Sequence, residues 1–388
     1  MLLRLFVVTF ILSGFTYSAC SDVLSQSDCE SFSSYGCEWN SDSGQCQQTG
    51  GGGGGSAASG PYQVASINEG QGLRNGPDYA GGVLYYPSDG DGSQGFKSIV
   101  FTPGFGGDSS AMSGWANFFA SHGFIAMSIG PNDPINDSHQ QRGEGLLDAI
   151  ETIRQENSRS TSPLFGLIDT NSYSVGGHSM GGGASHNAAM DDDSIQAILS
   201  FNPTALFEDC NYCASDQGYC ICLVPELINH TVPSLIYAGE FELNDLGPDY
   251  QGLIGPDMYT NMQETTDKIY FETTGNGHSS AAFPNGDVAD YALNWLKYQV
   301  LDDTDACEAL LSVPSTSSQY ITNLECFSFN AGDVNQNGSV DVSDIILLVN
   351  FILGISSPSG SQFSTADLND DSVLSVLDII LIINIILN

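Results

Sequence analysis

The chain has 388 residues and carries 46 Asp and Glu against 8 Lys and Arg, which gives a formal net charge of −38. Such a surface repels phosphate groups and therefore excludes nucleic acids and anionic membranes as partners. Because 388 residues exceed an average domain, we expect two or more folded units.

The first predicted element is a secretory signal peptide over residues 1–19. It combines Arg4, a short apolar run and small residues at Ser18 and Ala19, the pattern of a cleaved export signal. Lipidation of Cys20 and attachment to the cell surface is the alternative, although the residue three positions earlier is not the aliphatic one that such sites use. No later segment has the length of a membrane-spanning helix. We therefore expect a secreted protein.

Export makes the ten cysteines candidates for disulfides, and their even number agrees. Residues 20–48 form a small cysteine-rich module, too short to hold a core without bridges, and residues 49–60 form a glycine-rich linker. Four more cysteines lie within residues 210–222. Zinc is an alternative there, but the spacing matches no standard zinc site, so we favour disulfides.

Residues 61–327 alternate short β-prone runs with amphipathic helical segments. One such helix, in GEGLLDAIETIRQ, places Leu146, Leu147, Ile150 and Ile153 on one face. This alternation predicts an α/β domain with a mainly parallel sheet and helices on both faces. The predicted strands are GGVLYYP, KSIVFTP, FIAMSIG, YSVGG, AILSFNP, PSLIYAG and KIYFETT.

A candidate nucleophile lies in Gly177-His178-Ser179-Met180-Gly181, between a β-prone run and the start of a helix. This stretch fits the G-x-S-x-G nucleophile elbow, in which a tight turn exposes the serine hydroxyl and the glycines let strand and helix pass closely. A serine hydroxyl is a poor nucleophile at neutral pH, so it needs a histidine as base and an acid to orient that histidine.

In this topology the acid and the histidine follow the serine along the chain. Three histidines do so, His186, His230 and His278. His278 lies in a glycine-punctuated loop directly after the strand KIYFETT, where a catalytic histidine belongs, and we predict that it is the base. The acid is expected after the strand VPSLIYAG, where the residues alone leave three candidates: Glu240, Glu242 and Asp245.

The oxyanion of an acyl-transfer intermediate needs two N–H donors. The residue after the nucleophile, Met180, supplies one. The second is expected from the loop KSIVFTPGFGGDSS, in which Phe105 follows Pro103-Gly104 and the glycines let the backbone approach a substrate.

These motifs together resemble the bacterial cutinases and poly(ethylene terephthalate) hydrolases of the α/β-hydrolase superfamily. The similarity spans nearly all of residues 61–326 and includes PGFGGDSS, ASHGFIAMSI, SYSVGGHSMGGGAS and GNGHSSAAFP. It implies Ser179 as nucleophile, His278 as base and the N–H groups of Phe105 and Met180 as the oxyanion hole. It also implies a disulfide between the last two cysteines, Cys307 and Cys326.

Two departures from the family concern the acid and the substrate. The family's acid falls on Glu242, although the family has aspartate there, and Asp245 stays the alternative. The resemblance implies a substrate site that includes Phe105, His178 and Thr204, where Thr204 replaces a tryptophan that lines the family's aryl cleft. An insertion follows Thr204, and its aromatic residues are candidates for the missing wall: Phe207, Tyr212 and Tyr219.

Residues 330–388 contain a duplicated twelve-residue loop, each copy followed by an apolar helix. Oxygen ligands at positions one, three, five, nine and twelve, with a carbonyl at seven, form a calcium loop. The first predicted ligand set is Asp333, Asn335, Asn337, the Ser339 carbonyl, Asp341 and Asp344. The second is Asp367, Asn369, Asp371, the Val373 carbonyl, Ser375 and Asp378. This repeat resembles a type I dockerin, which implies structural calcium and a cohesin partner.

The preferred interpretation is a secreted serine ester hydrolase of cutinase or polyesterase type, acting through an acyl-enzyme on Ser179 without a catalytic cofactor. One alternative is a carbohydrate esterase, removing acetyl or feruloyl groups within a polysaccharide-degrading complex, because dockerins accompany such complexes. The other is a non-catalytic, calcium-dependent adhesion or scaffold protein.

Overall fold

The structure is a computed structural model. It describes residues 37–40, 45–48, 57–204, 207–208, 213, 221–223, 228–326, 330–358, 360–369, 371 and 373–387. The predicted signal peptide and most of the predicted linker lie outside these residues. Within the cysteine-rich module, β1 (Cys37–Asn40) pairs with β2 (Gln45–Gln48) as an antiparallel hairpin, which belongs to a unit of its own.

One sheet of nine strands dominates the described part of the hydrolase region. Its strands are β3 (Val64–Asn68), β4 (Ala80–Pro87), β5 (Phe96–Thr102), β6 (Ile125–Gly130), β7 (Ile168–His178), β8 (Ala197–Phe201), β11 (Ser234–Gly239), β12 (Lys268–Thr273) and β13 (Ser317–Thr322). They lie in the order β13-β12-β11-β8-β7-β5-β6-β4-β3. The strands from β6 to β12 in that order are parallel to one another, and antiparallel strands close both edges.

Helices cover both faces of this sheet, as the alternating pattern predicts. They are α1 (Ser113–Ser121), α2 (His139–Glu156), α3 (Met180–Asp191), α4 (Glu242–Leu246), α5 (Gly255–Asn261), α6 (Gly286–Leu301) and α7 (Thr304–Leu310).

Successive side chains of a strand point to opposite faces, so Ile99 and Phe101 pack with α1 and α6 while Val100 packs with α2 and α3. The sheet is therefore buried on both sides, as a parallel sheet requires.

The boundary regions of the domain are tied to this core. The N–H of Gly60, the last residue of the predicted linker, donates to Ser121 Oγ at 2.9 Å. Cys307 and Cys326 form a disulfide, as the resemblance implies. In the insertion after Thr204, β9 (Phe207–Glu208) pairs with β10 (Ile221–Cys222), and Cys213 is joined to Cys222.

The C-terminal repeat folds as helices, α8 (Val342–Ile352), α9 (Gly360–Ala366) and α10 (Val376–Leu387). Val334, Leu348, Ala366 and Ile382 form its small core. Among the helices that the structure describes, none combines the length and the apolarity needed to span a membrane.

Candidate active site

Ser179 lies on the sharp turn between β7 and α3, at φ 58° and ψ −119°. Such a left-handed angle is strained for a residue with a side chain. The flanking glycines make the turn possible: a Cβ on Gly177 would lie 2.5 Å from the Thr102 carbonyl oxygen, and one on Gly181 would lie 2.1 Å from the same atom. The predicted elbow is therefore present, and it places the serine hydroxyl at the carboxyl end of the central strands.

The imidazole of His278 lies beside this hydroxyl. Its Nε2 is 2.8 Å from Ser179 Oγ, which is hydrogen-bonding distance across 99 positions of chain. The other two histidines after the elbow are elsewhere: His186 and His230 are buried and bond each other at 3.0 Å. Of the three candidates, the fold brings only His278 to the serine.

Glu242, the first residue of α4, faces the other side of the His278 ring. Its Oε2 is 3.7 Å from His278 Nδ1. Both atoms are buried, and among the described residues neither has a hydrogen-bond partner, since 3.7 Å is too long for a hydrogen bond. The second oxygen, Oε1, accepts from the Gly239 N–H at 3.0 Å and from the Asn202 side-chain amide. One carboxylate oxygen is thus anchored while the other points to the imidazole.

The two other candidate acids hold the backbone of the histidine loop. Asp245 is exposed, and its Oδ2 accepts from the N–H of His278 at 2.8 Å. Glu240 accepts from the N–H of Gly275 at 2.8 Å. A Cβ on Gly277 would lie 1.9 Å from Asp245 Oδ2, so this contact requires glycine there. Glu242 is the acid that faces the imidazole.

His178, predicted to contact substrate, also supports this loop. Burial and the nearby His278 lower the pKa of His178 to about 3, so the ring is neutral at ordinary pH. Its Nε2 is 2.9 Å from the carbonyl oxygen of His278. Because a carbonyl only accepts, Nε2 carries the proton and donates. Asp245 therefore holds the N–H of His278, and His178 holds its carbonyl oxygen.

The predicted oxyanion loop passes directly against the nucleophile. A Cβ on Gly104 would lie 2.7 Å from the Ser179 Cβ, so the backbone here approaches more closely than any side chain allows. Phe105 follows in the loop after β5. Met180 is the first residue of α3, and an N–H at this position has no acceptor within its own helix. Both predicted donors thus lie on segments that adjoin Ser179.

The two remaining substrate-site candidates differ in exposure. Phe105 exposes 65% of its surface, whereas Thr204 exposes 3%. The Thr204 hydroxyl is 3.3 Å from His139 Nε2, and the other nitrogen of His139 is 3.0 Å from Glu208 in the insertion. Thr204 therefore adds little surface to the cleft. Tyr212, Tyr219 and the side chain of Phe207 lie outside the described residues.

Asn202 was missed by the sequence reasoning. It directly follows β8, is fully buried and has a φ of 45°. Its amide contacts Glu242 and the histidine loop. The available signal was its position, because polar residues just beyond the carboxyl ends of parallel strands face the site in folds of this class.

The two C-terminal loops repeat one hydrogen-bond pattern. In the first, Asp344 Oδ2 accepts from the N–H of Asp341 at 2.8 Å; in the second, Asp378 Oδ2 accepts from the N–H of Ser375 at the same distance. The side chains at position three, Asn335 and Asn369, each accept from the N–H at position five. The loops therefore share one register, as predicted.

The carboxylates at the ends of both loops are buried. Asp333, Asp344 and Asp378 are fully buried, and Asp367 exposes 8% of its surface. Within the described residues, no three His, Cys, Asp or Glu side chains converge as a metal site by themselves. Any cation here would need the asparagine and main-chain oxygens as well.

Comparison with known proteins finds a family match for each of the two regions. Residues 55–326 match the PET hydrolase-like (PETase) family, and residues 331–387 match the type I dockerin domain. A bis(hydroxyethyl) terephthalate hydrolase of Streptomyces coelicolor is 30% identical over 262 residues, which cover 67% of this chain and 74% of that protein. Cutinase est2 of Thermobifida alba is 28% identical over 261 residues, covering 67% and 77%.

A cutinase of Thermobifida fusca is 26% identical over 258 residues, 66% of this chain and 76% of that protein. The family match covers well over half of the chain and contains the elbow, the histidine loop and the acid described above. The chain therefore belongs to the PET hydrolase-like family of cutinase-type carboxylic ester hydrolases and carries a type I dockerin domain after its catalytic region.

Proposed function

We propose that the protein cleaves polyester through an acyl-enzyme on Ser179, with His278 as general base and Glu242 as the orienting acid. His278 Nε2 takes the proton of the Ser179 hydroxyl while Oγ bonds to the ester carbonyl carbon. The carbonyl oxygen becomes an oxyanion, which accepts from the N–H groups of Phe105 and Met180. Glu242 stabilises the imidazolium that forms.

The intermediate then collapses. The bond between the carbonyl carbon and the alkoxy oxygen breaks, and the proton on His278 passes to the leaving alcohol. Water enters, His278 takes one of its protons, and the hydroxide oxygen bonds to the acyl carbon. The second intermediate expels Ser179, which regains its proton, and a carboxylic acid leaves.

The observation that carries this proposal is the contact of 2.8 Å between Ser179 Oγ and His278 Nε2 at a strained elbow. A backbone strain that the surrounding glycines sustain is characteristic of a functional site. This arrangement also disfavours the alternative of a non-catalytic adhesion or scaffold protein, which would need neither the strain nor the contact.

Turnover of a soluble p-nitrophenyl ester tests the proposal. Ser179→Ala should lower kcat by about 10⁴-fold or more, because serine and histidine act as a unit. Ser194→Ala, an exposed serine beyond the far end of α3, is the control and should keep the wild-type rate. Equal rates in wild type and Ser179→Ala would refute the assignment.

The substrate class follows from the relatives, which include cutinases and a bis(hydroxyethyl) terephthalate hydrolase. We expect an extended ester chain to lie across the exposed ring of Phe105. The dockerin domain favours a second candidate, an esterase that removes acetyl or feruloyl groups from polysaccharide. Release of soluble aromatic acids from a poly(ethylene terephthalate) film supports the first, and release of acetate from acetylated xylan without film hydrolysis supports the second.

Calcium is the cation that the C-terminal loops fit. Residues 330–388 contain seven aspartates and no Lys, Arg or His, so no side chain of this domain offers a positive charge to the buried carboxylates of Asp333, Asp344 and Asp378. An ion pair or a metal must offset such charges. Calcium takes six to eight oxygen ligands, including amide and main-chain oxygens. Bound there, it would neutralise the carboxylates and hold each loop against its helix.

The partner that fits this domain is a cohesin-type protein. Both repeats present apolar side chains at equivalent positions, Val342 and Val376, and Ile346 and Ile380, each of which exposes roughly half of its surface or more. Exposed apolar patches of this kind favour a protein partner. Together with the family relationships, this supports an extracellular enzyme that is docked to a larger assembly.

A further inference from the structure

Asn202 occupies a position whose backbone is strained. Its φ of 45° is left-handed, and among the described residues only three other non-glycine residues have a positive φ, one of them Ser179. Asparagine tolerates this region better than most residues, at a cost of about 1 kcal/mol. Asn202 is also fully buried, so its amide must find partners inside the protein.

The amide of Asn202 joins three segments of the chain. Its nitrogen donates to Glu242 Oε1 in α4 and to Ser280 Oγ, at 2.9 Å, in the histidine loop. Its oxygen accepts from the N–H of Ala281 at 2.9 Å. The end of β8, the acid and the loop that carries His278 therefore meet at one side chain.

The acid has a particular need for such a partner. Glutamate has one methylene and one rotatable bond more than aspartate, so its carboxylate has more positions to adopt. Two donors, the Gly239 N–H and the Asn202 amide, fix Oε1. Because Oε1 is fixed, Oε2 is left facing His278 Nδ1 at 3.7 Å.

We propose that Asn202 is a positioning residue for the catalytic acid, holding Oε1 of Glu242 so that Oε2 faces the imidazole of His278. This inference rests on the function proposed above.

Two substitutions distinguish the contribution of the Asn202 side-chain amide from that of its backbone conformation. Asn202→Gly keeps a residue that adopts a positive φ freely but deletes the amide. Asn202→Asp keeps the shape and the oxygen that accepts from Ala281, but it replaces the donor to Glu242 with a carboxylate oxygen that repels it. In both we expect kcat on a soluble ester to fall about 10- to 100-fold, the worth of a hydrogen bond to a charged group. KM should change by less than about threefold, because the fully buried side chain of Asn202 presents no surface to substrate.

A double-mutant cycle with Glu242→Ala decides whether Asn202 acts through the acid. Once Glu242 is alanine, Asn202→Gly should lower kcat by no more than about threefold further. If the two losses multiply instead, Asn202 acts independently of Glu242 and the inference is overturned. The melting temperature of each variant identifies any that fails to fold, and Asn202→Asp, which keeps the native shape, is then the variant that decides.

The same cycle distinguishes failure of the inference from failure of the proposed function. Wild-type kcat in Glu242→Ala would remove the acid from the proposed mechanism, and the inference with it. Wild-type kcat in both Asn202 variants, with a large loss in Glu242→Ala, would leave the mechanism standing and overturn the inference alone.

Discussion

The hydrolase region and the dockerin domain treat buried charge in opposite ways. In the hydrolase region, protein groups offset it: Glu156, which is 2% exposed, pairs with Arg159 at 2.5 Å, and Asp148 pairs with Arg74 at 2.6 Å. After Lys297 the chain has no Lys, Arg or His at all, although the dockerin loops bury aspartates. The first region supplies its own counter-charges, whereas we propose that the second takes up a cation from solution.

Removal of calcium should have the largest effect of any test of this difference, because it should destabilise the dockerin domain and not the hydrolase region. A cation that binds only the folded domain stabilises it by about 4 kcal/mol per site at a free concentration 1,000 times its Kd. With two loops, EDTA should unfold residues 330–388 while the hydrolase region keeps its rate on a soluble ester. Calorimetry with and without calcium measures both transitions, and an unchanged dockerin transition in EDTA would contradict the dependence.

Single-loop variants sharpen the same test. Asp344→Asn and Asp378→Asn each remove the closing carboxylate of one loop, so each should lower the calcium stoichiometry in titration calorimetry from two to one. Asp305→Asn changes an exposed aspartate in α7 and serves as the control, with the stoichiometry of the wild type. A stoichiometry of two in both loop variants would refute the predicted ligands.

The second prediction concerns the carboxylates of the hydrolase region that lie beside the loop of His278. Glu242→Ala removes the acid that faces His278, and kcat should fall by about 10²- to 10⁴-fold, as for other acids of such triads. Asp245→Ala removes an exposed acceptor of the His278 N–H, and its loss should be about tenfold or less.

Glu240→Ala is the matched control for both variants, because Glu240 accepts one backbone N–H in the same loop and does not contact the imidazole. Its kcat should stay within about twofold of wild type. The three rates are measured on one soluble ester. A large loss confined to Asp245→Ala would mean that Asp245, not Glu242, is the acid.

Much of this architecture is predictable from the sequence because its signals are local. All seven predicted strands occur, since each is a short apolar run between turn residues. The face of α2 is also as predicted, with Leu146, Ile150 and Ile153 buried and Leu147 half-buried against the same core. The edge strands β3 and β13 were not predicted, because half-exposed strands with polar residues lack a continuous apolar run.

The active site was predictable where chemistry fixes the spacing and not where it depends on long-range packing. The elbow motif indicates Ser179, position after a strand indicates His278, and the structure brings these two side chains into contact. The choice among three neighbouring acids depends on rotamers and on which backbone N–H groups each carboxylate meets. The place of Asn202 in the site depends on contacts with residues 40 and 79 positions away along the chain, and no local sequence pattern encodes such contacts.

The third prediction concerns His186 and His230, two buried histidines that avoid buried charge by being neutral, not by pairing with a counter-charge. His230 Nδ1 accepts from the Val232 N–H, so its Nε2 carries the proton and donates to His186 Nδ1. Burial lowers the pKa of His230 to about 4 and that of His186 well below its usual value. In the unfolded chain these two histidines bind protons near pH 6.5, whereas in the folded protein they do so only in stronger acid.

Stability from His230 is therefore complete above about pH 6.5 and is lost as the pH falls toward 4. Its share of the loss between pH 7 and 4.5 is on the order of 2 kcal/mol in the free energy of unfolding. His230→Asn should remove most of that share, whereas His122→Asn, a half-buried histidine at the end of α1, should not. Urea unfolding of the hydrolase transition at both pH values measures the difference. An acid loss that is the same in wild type and His230→Asn would mean that this pair is not what acid disrupts, and that carboxylates offset by Arg and Lys carry the effect instead.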